Sequence, residues 1–382
     1  MTLVGMATSL LYLPIHRHVS AWLTPGDLWA TVQAAHFIAW GDLGGVYSSS
    51  AHLVSLPGFP LLMAPFAFVA WHFNLSESWP IALQHPTAWL LFGPFAFLAA
   101  GATLFGADAL AESLGASRRA RWWLGLGAAA VVFPGVLISG HPEDPLALGL
   151  ALYGLRAAST RRWTATAWLM GAALAVQPFT VLLVPAVLGA AGAGRLLPLL
   201  LRAALLPGFL TIVVLAADRR AAFDALFRQP NYPGPDHPTP WVALAPRLSA
   251  TSVAAGPGRM IALLVALALG FWVAKSRRPQ LAMVAAAFLA LAGRCAFESV
   301  LNPYYMTPAL VVAMILAARR GPACLAPCSL LALGLTVLGY FHMGQWEYWA
   351  MVVSVLAAVG CIGLARSGAA STRPVLALVG RT

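Results

Sequence analysis

Hydrophobic residues fall along this chain in long blocks rather than in alternation. The blocks run over about 2–22, 52–72, 87–107, 122–139, 145–159, 164–176, 178–192, 197–216, 259–275, 280–297, 305–318, 324–341 and 346–365. Blocks of this kind predict helices that cross or enter a bilayer, each crossing needing about 20 apolar residues. Between the first two blocks, DLWATVQAAHFIAW spaces Leu28, Val32, Ala35 and Phe37 or Ile38 as one face of a helix. That spacing predicts a helix lying in the membrane interface, with Trp29 and Trp40 at headgroup level. The prediction is an all-α polytopic membrane protein, with residues 1–382 as a single transmembrane domain.

Composition removes the soluble alternative: of 382 residues 60% are hydrophobic and 9% charged, with mean hydropathy +0.79, against about 25% charged in ordinary soluble domains. The net charge of +11 is a topology signal and not a nucleic-acid footprint, because the basic residues sit in short clusters between apolar blocks. Arg118, Arg119 and Arg121, then Arg156, Arg161 and Arg162, then Arg195 and Arg202 are assigned to the cytoplasmic side. So are Lys275, Arg277 and Arg278, Arg319 and Arg320, and the tail at 366–382 with Arg366, Arg373 and Arg381. The alternation is consistent from residue 118 onward if 164–192 is a hairpin hinged near Gln177 and Pro178. Before it, one early segment must not cross: either 52–72, with Pro57, Pro60 and Pro65, or the first run. That run precedes His16, Arg17 and His18, the reverse of a secretory signal. Cys295, Cys324, Cys328 and Cys361 lack zinc or redox spacing and read as small hydrophobes.

This orientation puts nine of the twelve acids outside: Asp27, Asp42, Glu143, Asp144, Asp218, Asp224, Asp236, Glu298 and Glu347. Candidate chemistry therefore gathers in the external loops 23–51 and 217–258 and the turn 140–145. Asp27 begins the interfacial helix, where a capping role and a catalytic one are compatible. Asp42 lies in a Gly-rich turn. GHPEDP packs His141, Glu143 and Asp144 between prolines at a helix mouth, a costly density unless used. In RQPNYPGPDHPTPW, Arg228, His237 and two aromatics, Tyr232 and Trp241, form a potential cleft wall, with His237 a candidate acid or base. In RCAFESVLNPYY, Arg294 and Glu298 stand one helical turn apart, followed by Asn302, Tyr304 and Tyr305. Arg294 either pairs with Glu298 or holds a phosphate bidentately. Gln177 reads as satisfying the backbone of a broken helix, and His36, His52, His72, His85 and His342 receive no role. No nucleotide-phosphate loop and no Gly-x-Ser-x-Gly elbow is present.

The order of these parts resembles the GT-C integral-membrane glycosyltransferases, particularly the bacterial polyprenyl-phosphate-mannose-dependent enzymes of glycosyltransferase family 87. The matching stretches are GDLWATVQAAHFIAWGDLGGVY, LPGFPLLMAPF, GHPEDPLALGLALYGLRA and WLMGAALAVQPFTVLLVP, with Gln177 where a Lys is often found. The resemblance implies a GT-C-like bundle of about 11–13 transmembrane helices in a bacterial plasma membrane. It implies transfer of a sugar, mannose foremost, from a polyprenyl phosphate to a lipid or glycan hydroxyl on the external face, with inversion. Asp27 matches the family's first-loop base, and Arg294 and Arg228 would face the leaving phosphate. Partners would be the lipid-linked donor, the acceptor and membrane lipids. No cofactor is implied, and a divalent metal stays open. The rival reading is a transporter or lipid flippase, whose polar groups would line a path at mid-depth.

Overall fold

The computed structural model describes residues 26–48, 53–75, 89–234, 236–341 and 343–365. The first apolar run with His16, Arg17 and His18 lies outside the described residues, as do His52, His85, His342 and the tail arginines. In chain order the helices are α1 Gly26–Ala39, α2 Gly58–His72, α3 Trp89–Ser113, α4 Arg118–Leu137, α5 Glu143–Ser159, α6 Trp163–Val176 and α7 Val184–Ala191. They continue as α8 Leu196–Ala217, α9 Arg219–Phe223, α10 Gly258–Lys275, α11 Pro279–Phe297, α12 Thr307–Arg320, α13 Pro322–Leu338 and α14 Glu347–Leu364. Two-residue strands β1 His237–Pro238 and β2 Val300–Leu301 pair antiparallel, with His237 opposite Leu301.

The fold is an all-α polytopic membrane architecture. Among the described residues six helices are long and apolar enough to cross a membrane, over 91–113, 118–137, 193–217, 258–275, 279–297 and 347–364. Helix α12 runs through the centre, with every residue from Pro308 to Ala318 buried. The outer helices α8 and α10 instead turn Leu201, Phe209, Ile212, Leu264 and Phe271 outward, the inverse of a soluble surface and the pattern a lipid-facing helix requires. Because lipid supplies no hydrophobic drive between helices, close packing of small residues holds them together. A side chain at Gly149 would meet the Ala102 backbone, and one at Gly171 the Ala203 carbonyl.

Three local features carry chain ends to one place. First, Thr103 Oγ1 in α3 donates to the Pro145 carbonyl, fixing the start of α5 and hence Glu143 and Asp144. Second, α6 stops at Gln177, whose backbone is extended at φ −151° and ψ 120°. Pro178, which has no N–H to continue the ladder, opens a 3₁₀ turn to Leu183 before α7. The chain then folds back, as the hairpin expected over 164–192 requires: the Arg195 guanidinium lies 5.5 Å from the ring of Trp163, where α6 began. Third, α10 and α11 touch where Gly258 meets the Phe297 carbonyl, with no room for a methyl group.

The last contact yields a stability prediction. Gly258→Ala forces the two helices apart, and overpacking of this kind costs about 1–3 kcal/mol. The variant is expected to lower the melting temperature in detergent, and Gly208→Ala, with open space around it, to leave that temperature unchanged.

The predicted interfacial helix forms as α1, with Leu28, Val32 and Ala35 buried. It packs against α2, and their C-terminal ends meet where Trp40 stands edge-on to Trp71 at 4.4 Å. The long loop before α10 is ordered by its own contacts: Thr239 Oγ1 donates to the Glu298 carbonyl at 2.6 Å, and Trp241 Nε1 to the Ala296 carbonyl at 2.8 Å.

Candidate active site

These ends enclose a cavity of about 1230 Å³. It is bounded by the start of α1, the start of α5, the Gln177 hinge, the 221–236 segment, the start of α10 and the 302–305 linker. Asp27 stands in the first turn of α1, at the N-terminal end where a carboxylate is favoured. Its side chain is 63% exposed to the cavity side, and its Oδ2 lies 3.0 Å from His141 Nε2. The other ring nitrogen, Nδ1, lies 2.7 Å from Glu143 Oε1. The ring is stacked on Tyr304 with centroids 3.9 Å apart.

A histidine with a carboxylate oxygen at each nitrogen must donate from both, which only the imidazolium can do. Burial by itself would lower the His141 pKa, but the charges of Glu143 and Asp27 and the hydrogen bonds to both outweigh it and raise the pKa well above its ordinary value. The sign follows: the bracket is intact below the ordinary histidine pKa and is lost as pH rises through the elevated one. Activity that depends on it is therefore expected to decline on the alkaline side. His141→Gln, which keeps a donor to Asp27 but no charge, should reduce kcat roughly 10-fold or more and remove that alkaline limb from the pH–rate profile.

A second set of charges is built around Glu298, whose side chain is 0% exposed. Arg259 Nε, from the first turn of α10, donates to both its oxygens at 3.1 and 3.3 Å, and the same guanidinium donates to Gln229 Oε1. Arg294 Nε lies 3.7 Å from Glu298 Oε2, and its guanidinium sits over the rings of Phe179 at 5.4 Å and Tyr305 at 4.7 Å. Two arginines thus share one buried carboxylate. Arg294 Nη1 is buried with no hydrogen-bond partner among the described residues, and the residue lines the cavity. Asp144 lies within electrostatic range of both His141 and Arg294, and its Oδ1 accepts from Gln177 Nε2 at 2.6 Å. Among the described residues no group of three or more His, Cys, Asp or Glu is arranged to hold a metal ion.

Residues 63–193, about a third of the chain, match the family model described as alpha-(1->6)-mannopyranosyltransferase, N-terminal domain. The match supports a membrane mannosyltransferase. Together with the apolar helices it fits the GT-C class of membrane glycosyltransferases. It spans His141, Glu143, Asp144 and Gln177, and stops short of Asp27 on one side and of Arg259 and Arg294 on the other. No curated protein and no solved structure matches the chain.

Of the residues singled out from sequence, the cavity collects Asp27, His141, Glu143, Asp144, Arg228, Arg294, Tyr304 and Tyr305. Four others stand elsewhere. Asp42 accepts from the Gly45 N–H at 3.1 Å, a turn residue outside the cavity lining. His237, expected as an acid or base, has Nε2 2.7 Å from the Gly339 carbonyl and its ring against Tyr348; the β1–β2 pairing turns it away. Trp241 uses its indole to pin the loop, as above, and Glu298 is consumed by the two arginines. Arg228 lies 3.3 Å from Asp224. Gln177 bonds Asp144 through its side chain, beyond the backbone role expected of it.

Sequence reasoning passed over Arg259 and did not select Asp236 and Asn302. A single cation just ahead of an apolar block on the acid-rich face, against the positive-inside bias, was the available signal for Arg259.

Proposed function

We infer that this protein transfers mannose from a polyprenyl phosphate to an acceptor hydroxyl on the external face of a bacterial plasma membrane. The observation that carries the reading is the cavity itself, which sets an accessible, oriented carboxylate at one group of charges and a buried cation with an unused donor at another. In the reaction the acceptor oxygen attacks the anomeric carbon, and its proton passes to Asp27. The bond from that carbon to the phosphate oxygen breaks, and its electron pair leaves with the lipid phosphate. A positioned base contributes typically 10²–10⁴-fold. His141, held in turn by Glu143, is a positioning residue that fixes one Asp27 oxygen and leaves the other for the acceptor. Arg294, with Arg259 beside it and Arg228 across the lining, supplies fixed positive charge to the phosphate as it becomes an anion, in a site where such charge is worth more than in water.

The experiment is transfer by purified protein in lipid nanodiscs supplied with mannosyl polyprenyl phosphate and a glycan acceptor. The expected product has the opposite anomeric configuration to the donor. Retention of configuration, or use of a nucleotide-linked mannose in place of the lipid donor, would count against this mechanism.

A further inference from the structure

The mechanism leaves one wall of the cavity unused. Tyr232, 45% exposed, and Asp236 belong to the same turn, closed by the Asp236 N–H to the Tyr232 carbonyl at 3.3 Å. Asp236 is hydrogen-bonded to Asn302 and feels the charges of Asp27 and His141. Burial raises its pKa to about 6, so it is an anion at neutral pH. The β1–β2 ladder, with His237 opposite Leu301, holds the turn and the linker together, so the arrangement is fixed rather than incidental. On the far side of His141, Glu143 Oε2 is buried with no partner among the described residues and lines the same cavity.

We propose that Tyr232, Asp236 and Asn302 form the acceptor subsite, and that it selects a neutral, hydroxyl-rich glycan over an anionic one. The inference rests on the transferase reading. An aromatic face, a carboxylate and an amide match a sugar ring: the tyrosine covers its C–H face, the carboxylate accepts from hydroxyls, and the amide both donates and accepts. Asp236 of this group feels the charge of Asp27, where the attacking hydroxyl must be, whereas Arg259 and Arg294 lie at Glu298. Carboxylates at Asp27, Asp236 and Glu143 outnumber the single imidazolium of His141 between two of them and repel an acidic acceptor, so selectivity comes from like charge as well as from attraction.

The test uses the reconstituted full chain with a neutral mannose disaccharide and its uronic-acid counterpart as acceptors. The wild type is expected to prefer the neutral acceptor by at least about 10-fold in kcat/KM. Tyr232→Ala and Asp236→Asn should each raise the KM for the neutral acceptor by about 10-fold or more while the donor KM stays within about twofold. Asp236→Asn should also shrink the preference against the acidic acceptor, which a merely structural role would not do. Equal use of both acceptors by the wild type, or unchanged acceptor KM in both variants, would overturn the proposal. If the wild type transfers nothing from the mannosyl donor, the donor reading has failed separately. Saturation-transfer NMR of the neutral disaccharide then decides the subsite: signal in the wild type and loss in both variants supports it, and any other pattern overturns it.

Discussion

Asp27→Asn should reduce mannosyl transfer by about 10²–10⁴-fold at matched abundance, with the fold intact. The asparagine has the same shape and can still accept from His141 Nε2, now 3.0 Å from the carboxylate, so α1 and the cavity keep their geometry. On the proposed mechanism the base for the acceptor proton is lost, and a neutral hydroxyl must then attack unaided. The loss should therefore appear in kcat with little change in donor KM, since an interaction made only in the transition state has been removed. A fall in KM-dependent terms alone would instead assign Asp27 to substrate binding.

The second large effect is expected at Arg294. Arg294→Gln removes the buried guanidinium whose Nη1 is unpartnered, and removal of one such oxyanion donor typically costs about 10²–10³-fold. Stability should change little, because Glu298 keeps Arg259 at 3.1 Å as its partner; the melting temperature in detergent checks this. Arg294→Lys should recover only part of the activity, since an ammonium supplies charge without the planar fork that grips a phosphate. Donor affinity should fall with transfer here, in contrast to Asp27→Asn. Equal donor affinity in wild type and Arg294→Gln would remove this residue from the phosphate site.

Several residues that line the cavity stand out in the sequence. Asp27 and the His141–Asp144 turn stand out because charge is expensive beside apolar blocks, and a Pro-bounded cluster there requires a reason. The hairpin at Gln177 followed from charge alternation together with a proline that cannot continue a helix. The remainder depended on which side of an extended segment faces inward. Asp236 and His237 are neighbours, the first in a bend and the second opening β1. Pairing with β2 sets the half-buried His237 against Tyr348 while Asp236, just before the strand, lines the cavity, a choice no local pattern encodes. Arg259 and Glu298 meet across 39 positions only because Gly258 lets α10 close on α11. Of the two aromatics expected to wall a cleft, Trp241 gives its indole N–H to a backbone carbonyl, and Tyr232 lines the cavity.

The most direct test of the central claim, that proton removal and phosphate binding are divided between Asp27 and the arginines, is to measure donor binding and transfer in the same three reconstituted proteins. These are the wild type, Asp27→Asn and Arg294→Gln, each with mannosyl polyprenyl phosphate as donor. Asp27→Asn is expected to bind the donor as the wild type does and to transfer almost nothing, and Arg294→Gln to lose both. Transfer by Asp27→Asn at the wild-type rate, with its donor binding intact, would contradict the account.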